Sequence, residues 1–260
     1  MKTALITGAT EGIGREFVSL FAADSYQLVL VARNEQKLKE ICSQTPVPAT
    51  YYACDLSDLK QAQSLLDSLE QRNMIPDCVV NCAGYGQSGE FTGLSWEQQA
   101  NMLHLNVETL ALFTHSFARQ MKQRGSGIIM NVASIAAFTP IPHMAMYAAT
   151  KAFVKSLSEA VDYEMMDYGV RVMTLCPGVT DTKFYARPGM TRSLLNAPLL
   201  HTATAHDVAV YGYRSLLKGK TTAVHGWQNR LSIFLSRFTP RRITVGVSAR
   251  AASHAQKGAS

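Results

Sequence analysis

A tyrosine and a lysine one helical turn apart are the residues of this chain whose types and spacing most directly suggest chemistry. They are Tyr147 and Lys151, in the stretch "MYAATK", and residues at i and i+4 share one face of a helix. A phenol has a pKa near 10 and exchanges protons reluctantly at neutral pH, but a neighbouring ammonium favours the phenolate and lowers that pKa. The pair therefore predicts a tyrosine that donates a proton to a ligand, and the alanines beside it leave room for that ligand.

The elements that must position this pair are indicated by short apolar runs alternating with longer helical patterns. The apolar runs predict strands at residues 3–7, 27–32, 50–53, 77–81, 127–133 and 170–176, with residues 221–226 as a seventh. Strands that are apolar throughout are buried on both faces, and strands separated by helices must be parallel. The sequence therefore predicts an α/β fold, a single doubly wound (Rossmann) parallel sheet flanked by helices, in one domain over residues 1–226.

The helical patterns have recognisable start signals. Asn34 and Ser57 are expected to begin two helices, Ser95 with Gln98 forms a capping-box pattern, and a helix over residues 13–24 follows the first strand. A further helix over residues 144–167 would carry Tyr147 and Lys151. The pair thus follows the fifth strand.

A glycine-rich turn directly after the first strand suggests a phosphate site. The stretch "TGATEGIG" contains Gly8, Gly12 and Gly14 and leads into the first helix. The glycines permit a tight turn, close approach of backbone to a ligand, and close packing of the helix on the sheet. The start of the helix presents free N–H groups and partial positive charge, which suit the pyrophosphate of a dinucleotide.

The order of these motifs along residues 2–182 resembles the short-chain dehydrogenase/reductase family. The matching pieces are "TGATEGIG", "CDLSD" (54–58), "NCAG" (81–84), Asn106, Ser134, "YAATK" (147–151) and "PGVTDT" (177–182). The chain departs from the family at Cys82, where a second asparagine is usual, and we expect Cys82 to be a small buried residue without a redox role.

The resemblance implies a Ser-Tyr-Lys-Asn site that interconverts a carbonyl and an alcohol. Hydride would pass from C4 of NADPH to the carbonyl carbon while Tyr147 protonates the oxygen, which Ser134 holds. Asn106 would bind a water that links Lys151 to solvent. The cofactor contacts implied are Gly8, Thr10, Glu11, Gly12, Ile13, Gly14, Arg33, Asn34, Asp55, Leu56, Asn81, Ala83, Gly84, Tyr147, Lys151, Pro177, Gly178, Val179 and Thr182.

The end of the second strand indicates NADP rather than NAD. An NAD enzyme usually has an acidic residue there for the ribose 2′-hydroxyl, whereas this chain has "VARNEQK". Arg33 can pair with a 2′-phosphate through two N–H groups and stack on adenine, and Lys37 would add charge. We therefore predict an NADP-preferring enzyme.

Substrate choice is expected to depend on residues 85–91, 136–144 and 183–201, which are mostly apolar and suggest a hydrophobic or acyl-like carbonyl substrate. Residues 227–260 form an amphipathic basic extension, in which Trp227, Leu231, Phe234, Leu235 and Phe238 share one helical face. The extension would pack on the body or on a partner subunit, rest weakly on an anionic membrane surface, or be disordered. The domain prediction places it on the same domain.

Composition limits the function classes. The net charge is +6, and because no acidic residue follows Asp207 while nine Lys or Arg do, the basic charge belongs to the C-terminal region, which argues against a broad nucleic-acid face. No apolar run is long enough to span a bilayer, and the five scattered cysteines suit reduced thiols better than disulfides or a metal site.

We expect a cytoplasmic homodimer or homotetramer acting on a small molecule without a metal. Two alternatives stay open: a catalytically silent NADP(H)-binding sensor or scaffold, which would usually lack the tyrosine, lysine or serine, and a nucleotide-sugar epimerase or dehydratase, for whose substrate domain the chain leaves little room.

Overall fold

The computed structural model describes residues 1–186 and 202–257, and its centre is a seven-stranded parallel sheet. The described strands are β1 (Thr3–Thr7), β2 (Gln27–Ala32), β3 (Ala49–Ala53), β4 (Cys78–Asn81), β5 (Gly127–Val132), β6 (Val170–Cys176), β7 (Thr180–Asp181), β8 (Ala203–Thr204) and β9 (Thr222–Val224). The sheet order is β3-β2-β1-β4-β5-β6-β9, and every neighbouring pair is parallel. This confirms the predicted doubly wound α/β fold.

Helices connect these strands and cover both faces of the sheet. They are α1 (Gly12–Ala23), α2 (Glu35–Gln44), α3 (Leu59–Gln71), α4 (Trp96–Leu103), α5 (Leu110–Arg124), α6 (Ala145–Met165), α7 (Ala205–Leu217), α8 (Trp227–Ser236) and α9 (Arg241–Lys257). Among the described residues, no helix is long and apolar enough to cross a membrane.

Alternate strand residues supply two cores, one on each face. On one face Ile6, Leu28 and Leu30 pack with Phe17 and Phe21 of α1. On the other face Leu5, Val29, Val31 and Val79 pack with residues of α3 and α5, including Leu66, Phe113 and Phe117. Because the strands are apolar on both sides, helices must cover both faces, and the carboxyl ends of the strands are left to form the site.

Two of the predicted helix starts are confirmed and one is wrong. The side chains of Asn34 and Ser95 accept hydrogen bonds from the backbone N–H groups three residues on. Asp58, not Ser57, caps α3, and its carboxylate accepts from the N–H groups of the next helical turn. Ser57 instead donates its hydroxyl to Asp55 Oδ1 at 2.7 Å. The carboxylate of Asp58 is favoured at the start of the helix because an ionised carboxylate accepts hydrogen bonds more strongly than a hydroxyl does.

Two elements near the site have no counterpart in the sequence prediction. A π-helical turn at His104–Thr109 joins α4 to α5 and contains Asn106. The short strands β7 and β8 pair in parallel, with Thr180 opposite Ala203 and Asp181 opposite Thr204. They flank residues 187–201, so most of the predicted substrate segment 183–201 lies outside the described residues.

An ion pair holds strand β6 to α6. Arg171 donates to both carboxylate oxygens of Asp162, at 2.9 and 3.0 Å, and the side chain of Asp162 is buried. Asp162 also accepts from the backbone N–H of Val172 and from Thr221 Oγ1. Burial by itself raises the pKa of Asp162, but these hydrogen bonds, that of Arg171 first, lower it below its usual value overall.

Candidate active site

The glycine turn between β1 and α1 has the conformation that a phosphate cradle requires. Gly8 and Gly12 have φ of +68° and +55°, in the left-handed region that side chains disfavour. A Cβ on Gly14 would lie 2.3 Å from the carbonyl oxygen of Gly8. The turn therefore tolerates no side chain at Gly14, and the start of α1 remains open to a diphosphate group.

A single large cavity of about 1700 Å³ begins at this turn and runs along the carboxyl ends of the strands. The predicted site residues that line it are Gly8, Thr10, Glu11, Gly12, Ile13, Gly14, Arg33, Asn34, Asp55, Leu56, Ala83, Gly84, Ser134, Tyr147, Lys151, Pro177, Gly178, Val179 and Thr182. The structure thus brings together nearly all of them. Ordinary ligand pockets measure about 300–1,000 Å³, so this cavity has room for a dinucleotide and a second ligand.

Tyr147, Lys151 and Ser134 converge beyond β5. Lys151 Nζ donates to the backbone carbonyl of Val132 at 2.9 Å and lies 5.8 Å from the centroid of the Tyr147 ring. The Ser134 hydroxyl lies near enough to the Tyr147 phenol to lower its pKa, and the serine oxygen accepts from the N–H of Ala136 at 3.1 Å. The tyrosine hydroxyl and the serine hydroxyl can therefore reach the same ligand oxygen.

Burial dominates the ionisation of this pair. Burial raises the pKa of Tyr147 to about 12, and the hydrogen bond with Ser134 opposes that rise. Burial also lowers the pKa of Lys151 to about 8, because taking a charged group out of water disfavours the charged form. Among the protein's own groups, the direction for Tyr147 is thus opposite to the one that the sequence suggested.

Asn106 lies behind the cavity wall rather than in it. Its side chain is fully buried, accepts from Tyr85 N at 3.1 Å, and donates to the carbonyl of Tyr85 at 2.8 Å and to Thr150 Oγ1 at 3.2 Å. Lys151 Nζ is close by, since a Cβ on Gly84 would come within 3.1 Å of Asn106 Oδ1 and 3.4 Å of Lys151 Nζ. The side chain of Asn106 therefore fixes the strand end that faces the lysine.

Asn81 is also placed differently from the expectation that it contacts the cofactor. Its amide donates to Asn131 Oδ1 at 2.8 Å inside the sheet. The chain that follows β4 and lines the cavity at Cys82 and Ala83 is held instead by Thr7, which sequence reasoning missed. The hydroxyl oxygen of Thr7 accepts from the N–H groups of Cys82 and Ala83, each at 3.0 Å, and only the neighbouring glycine turn could have pointed to it.

At the other end of the cavity, the basic residues differ in what they are bound to. Lys37 Nζ donates to Glu11 Oε1 at 2.5 Å, and this bond is the largest influence lowering the pKa of Glu11. Arg33 has a side chain that is 67% exposed and lies 4.0 Å from Asp55. The guanidinium of Arg33 is therefore available to a further anion, whereas the charge of Lys37 is already paired.

A family model described as short chain dehydrogenase matches residues 2–191 of the sequence. The chain belongs to the short-chain dehydrogenase family. An uncharacterized oxidoreductase of Staphylococcus epidermidis is 34% identical over 182 residues, which cover 70% of this chain and 79% of the relative. The probable oxidoreductase EphD of Mycobacterium tuberculosis is 32% identical over 188 residues, which cover 71% of this chain but 32% of EphD. This short-chain dehydrogenase is thus an oxidoreductase, as its resemblance implied.

Solved structures of the family have the same fold. A short-chain dehydrogenase from Sphingobium yanoikuyae in complex with NADPH superimposes with a TM-score of 0.81 and 26% identity, covering 92% of this chain and 94% of that one. A 7β-hydroxysteroid dehydrogenase has a TM-score of 0.81 at 24% identity and covers 95% of this chain and 96% of its own; at that identity the likeness concerns the fold alone. Family members bind NAD or NADP, and the glycine turn of this chain fits such a group.

Proposed function

We propose that this protein is an NADP(H)-dependent oxidoreductase that interconverts a carbonyl and an alcohol on a hydrophobic or acyl-like substrate. One observation carries the proposal: a cavity that begins at the glycine turn reaches Tyr147, Ser134 and Lys151. The bound nicotinamide would supply or accept the hydride. The chain itself must then bind the substrate oxygen and move one proton.

The proton steps follow from the polar groups around Tyr147. In the reducing direction the Tyr147 hydroxyl donates its proton to the substrate oxygen, which Ser134 orients through a second hydrogen bond. The tyrosinate that remains would be costly in a buried site. The ammonium of Lys151, held near the ring by the Val132 carbonyl, stabilises that negative charge. Asn106 acts as a positioning residue for the strand end facing Lys151, and we propose that it also supports the water that returns the proton.

Preference for NADP is supported by the contrast between Arg33 and Lys37. Because Arg33 is exposed and only loosely paired with Asp55, its guanidinium can take a 2′-phosphate bidentately. We expect Arg33→Asp to weaken NADPH binding at least about tenfold, since charge-assisted hydrogen bonds contribute roughly 1.5–3 kcal/mol, and to leave NADH binding nearly unchanged.

Lys37→Asp serves as the matched control, because it makes the same two-unit change of charge at this end of the cavity. We expect it to weaken NADPH binding less, since Lys37 is bound to Glu11. Equal losses in the two variants, or unchanged cofactor preference in Arg33→Asp, would contradict the assignment. Binding is measured by NADPH and NADH fluorescence titration.

The activity is tested with Tyr147→Phe, which removes one oxygen from a buried ring. NADPH oxidation is followed over aldehydes, ketones and 3-oxoacyl thioesters. The proposal expects turnover in the wild type that is lost in Tyr147→Phe, with NADPH binding retained. Tight NADPH binding without turnover on any of these compounds would instead favour the silent sensor.

Three further proposals follow from the family and the chain's composition. We infer a homodimer or homotetramer in the cytoplasm, with residues 1–226 as the catalytic domain. Residues 227–260 are proposed to be an extension packed on that domain, supported by the contacts of Asn229 and Ser248 with the body. Sedimentation velocity of the full chain tests the subunit number.

A further inference from the structure

The two C-terminal helices form one wall of the large cavity. From α8 the lining residues include Trp227, Leu231 and Leu235, and from α9 they include Ile243 and Val247. In the predicted apolar stripe, Phe234 of α8 and Phe238, which follows the end of that helix, are not among the described residues that line the cavity. The stripe therefore has two parts with separate surroundings.

This wall is attached to the body at two places beside the candidate active site. At the start of α8, the side chain of Asn229 sits so close to Gly178 that a Cβ there would lie 2.4 Å from the Asn229 amide nitrogen. In α9, Ser248 Oγ donates to the carbonyl of Pro140 at 2.9 Å. The first contact joins the wall to the predicted nicotinamide side, and the second joins it to the segment before α6.

The space beside this wall is uncharged and open to solvent on one side. Leu231, Leu235 and Val247 are 48%, 54% and 62% exposed, and the amide or hydroxyl groups of Gln228, Asn229, Ser232, Ser236, Thr239, Thr244 and Ser248 also line it. Facing α8 and α9 are Ile141 and Met144, and Phe184 packs beside Tyr147 with ring centroids 5.7 Å apart. Among the described lining residues from α8, α9 and residues 139–144, none is charged. The charged lining residues are Glu11, Arg33, Lys37, Asp55, Lys151 and Lys183, which belong to the glycine-turn end and the catalytic pair.

We propose that α8 and α9 build a substrate chamber for the long or bulky, uncharged apolar body of a carbonyl compound, with Leu231, Leu235 and Val247 setting the size accepted. This rests on the proposed function and names its substrate class. The carbonyl lies at Tyr147 and the apolar body extends between α8–α9 and residues 139–144. A substrate with a charged group on that body would be disfavoured, because the chamber offers no counter-charge.

The test is a series of methyl ketones from 2-butanone to 2-dodecanone, measured as kcat/KM with NADPH. In the wild type kcat/KM should rise with chain length, by up to about fourfold per methylene while the chain fills the chamber. Leu235→Asp should reduce kcat/KM for 2-dodecanone at least tenfold and change that for 2-butanone by less than threefold. Leu231→Trp, which fills space without adding charge, should move the best substrate to a shorter ketone.

Phe234→Asp is the matched control, since it adds the same charge to the adjacent position of the same helix. It should leave the chain-length series unchanged. A series that is flat in the wild type, or altered equally by Leu235→Asp and Phe234→Asp, overturns the chamber while leaving the reductase intact.

A binding measurement keeps the chamber testable if no ketone turns over, an outcome that would count against the proposed function. Trp227 lines the cavity, and Trp96 is the other tryptophan. In a Trp96→Phe background, 2-dodecanone should change the emission of Trp227 saturably. Leu235→Asp should weaken that binding at least tenfold. Absence of a saturable change overturns the chamber.

The outer side of α8, together with the turn between α8 and α9, supports a second, independent proposal. Phe234 and Phe238 are 53% and 74% exposed and contact each other edge to face, with ring centroids 5.3 Å apart. Arg230, Arg237 and Arg241 are exposed around them, and none has an ion pair with a described residue.

We infer that this face rests on an anionic lipid surface. Aromatic rings and arginines on one side of a helix are the combination that binds at lipid headgroups, and the positive charge has no acidic complement on this part of the chain. The occupant is therefore an anionic bilayer rather than a second copy with the same positive face.

Co-sedimentation with phosphatidylcholine vesicles, with and without phosphatidylglycerol, tests this surface. The wild type should pellet with the anionic vesicles and be released by salt, and each arginine near the surface should contribute about fivefold in affinity. Phe234→Asp should weaken binding more than Leu235→Asp, which adds the same charge on the cavity side. Equal pelleting with neutral vesicles, or a self-association that Phe234→Asp abolishes in the absence of lipid, would overturn the lipid assignment.

Discussion

The ionisation of Lys151 gives a pH profile that can be calculated from the structure. Carbonyl reduction needs the proton on Tyr147, whose pKa of about 12 keeps it protonated at neutral pH, and the positive charge on Lys151, whose pKa is about 8. Reduced nicotinamide is uncharged, so the ring itself adds no charge that would shift the pKa of Lys151. At pH 7 about nine-tenths of Lys151 is charged and at pH 9 about one-tenth, so kcat/KM should fall about tenfold over that interval.

The sign follows from burial. Because burial lowers the pKa of Lys151, the active protonation state is nearly complete below pH 7 and is lost as the pH rises through about 8. Initial rates of NADPH oxidation with a ketone at low concentration, from pH 6 to 10, measure the profile. Lys151→Arg is the control, since a guanidinium remains charged throughout this range: its activity should be lower but should lack the break near pH 8.

Two results would refute this reasoning. A wild-type profile that stays level to pH 10 would mean that Lys151 keeps its charge despite burial. A break near pH 8 that persists in Lys151→Arg would assign the titration to another group. Either result would show that the charge of Lys151 does not set the pH dependence of the activity.

Stability and cofactor binding give two further predictions. Asp162→Ala should lower the free energy of unfolding by about 2–4 kcal/mol in urea titrations, because it leaves Arg171 without its partner. In the wild type, the part of this stabilisation that depends on the ionised carboxylate should be present above about pH 4 and lost as the pH falls through the lowered pKa of Asp162. Gly14→Ala should weaken NADPH binding at least about tenfold, because its Cβ would lie 2.3 Å from the backbone oxygen of Gly8, whereas Gly246→Ala in α9, with nothing within 4 Å of the added atom, should leave binding unchanged.

The order of elements could be predicted because each strand is buried on both faces and therefore appears as an uninterrupted apolar run. The predicted bounds of β1, β2 and β6 agree with the structure, and the others differ by at most a few residues. β7 and β8 could not be predicted, because each has two residues and such strands exist through their pairing rather than through local propensity. The π turn around Asn106 has no sequence signal either, since helical periodicity continues through it.

Most of the residues that line the site could be predicted, but the pKa values of Tyr147 and Lys151 could not. The family motifs named the residues that line the cavity, while the spacing of Tyr147 and Lys151 suggested that the lysine lowers the pKa of the tyrosine. The structure shows burial to be the larger effect on both groups, and burial depends on packing from distant segments. The sequence also could not show that Leu231 and Leu235 of α8 line the cavity while Phe234 does not. Helical periodicity identifies an apolar stripe but not which part of the stripe contacts the body.

The pairing of β7 with β8 allows the length of the chain between them to change separately from the residues that bind the cofactor. Thr180 and Ala203 are register partners, so the chain between these strands starts and finishes at one anchored place on the body. Lengthening a connection between fixed ends costs slowly increasing entropy, about 0.6 kcal/mol for each doubling. Insertions and deletions that leave Thr182 and Phe184 in place, beside Gly12 and Tyr147, can therefore be tolerated without disturbing the glycine turn or the Tyr147 helix. A homologue with a much longer or shorter connection here should keep the same cofactor while accepting a different substrate, which makes this position a suitable graft point for engineering.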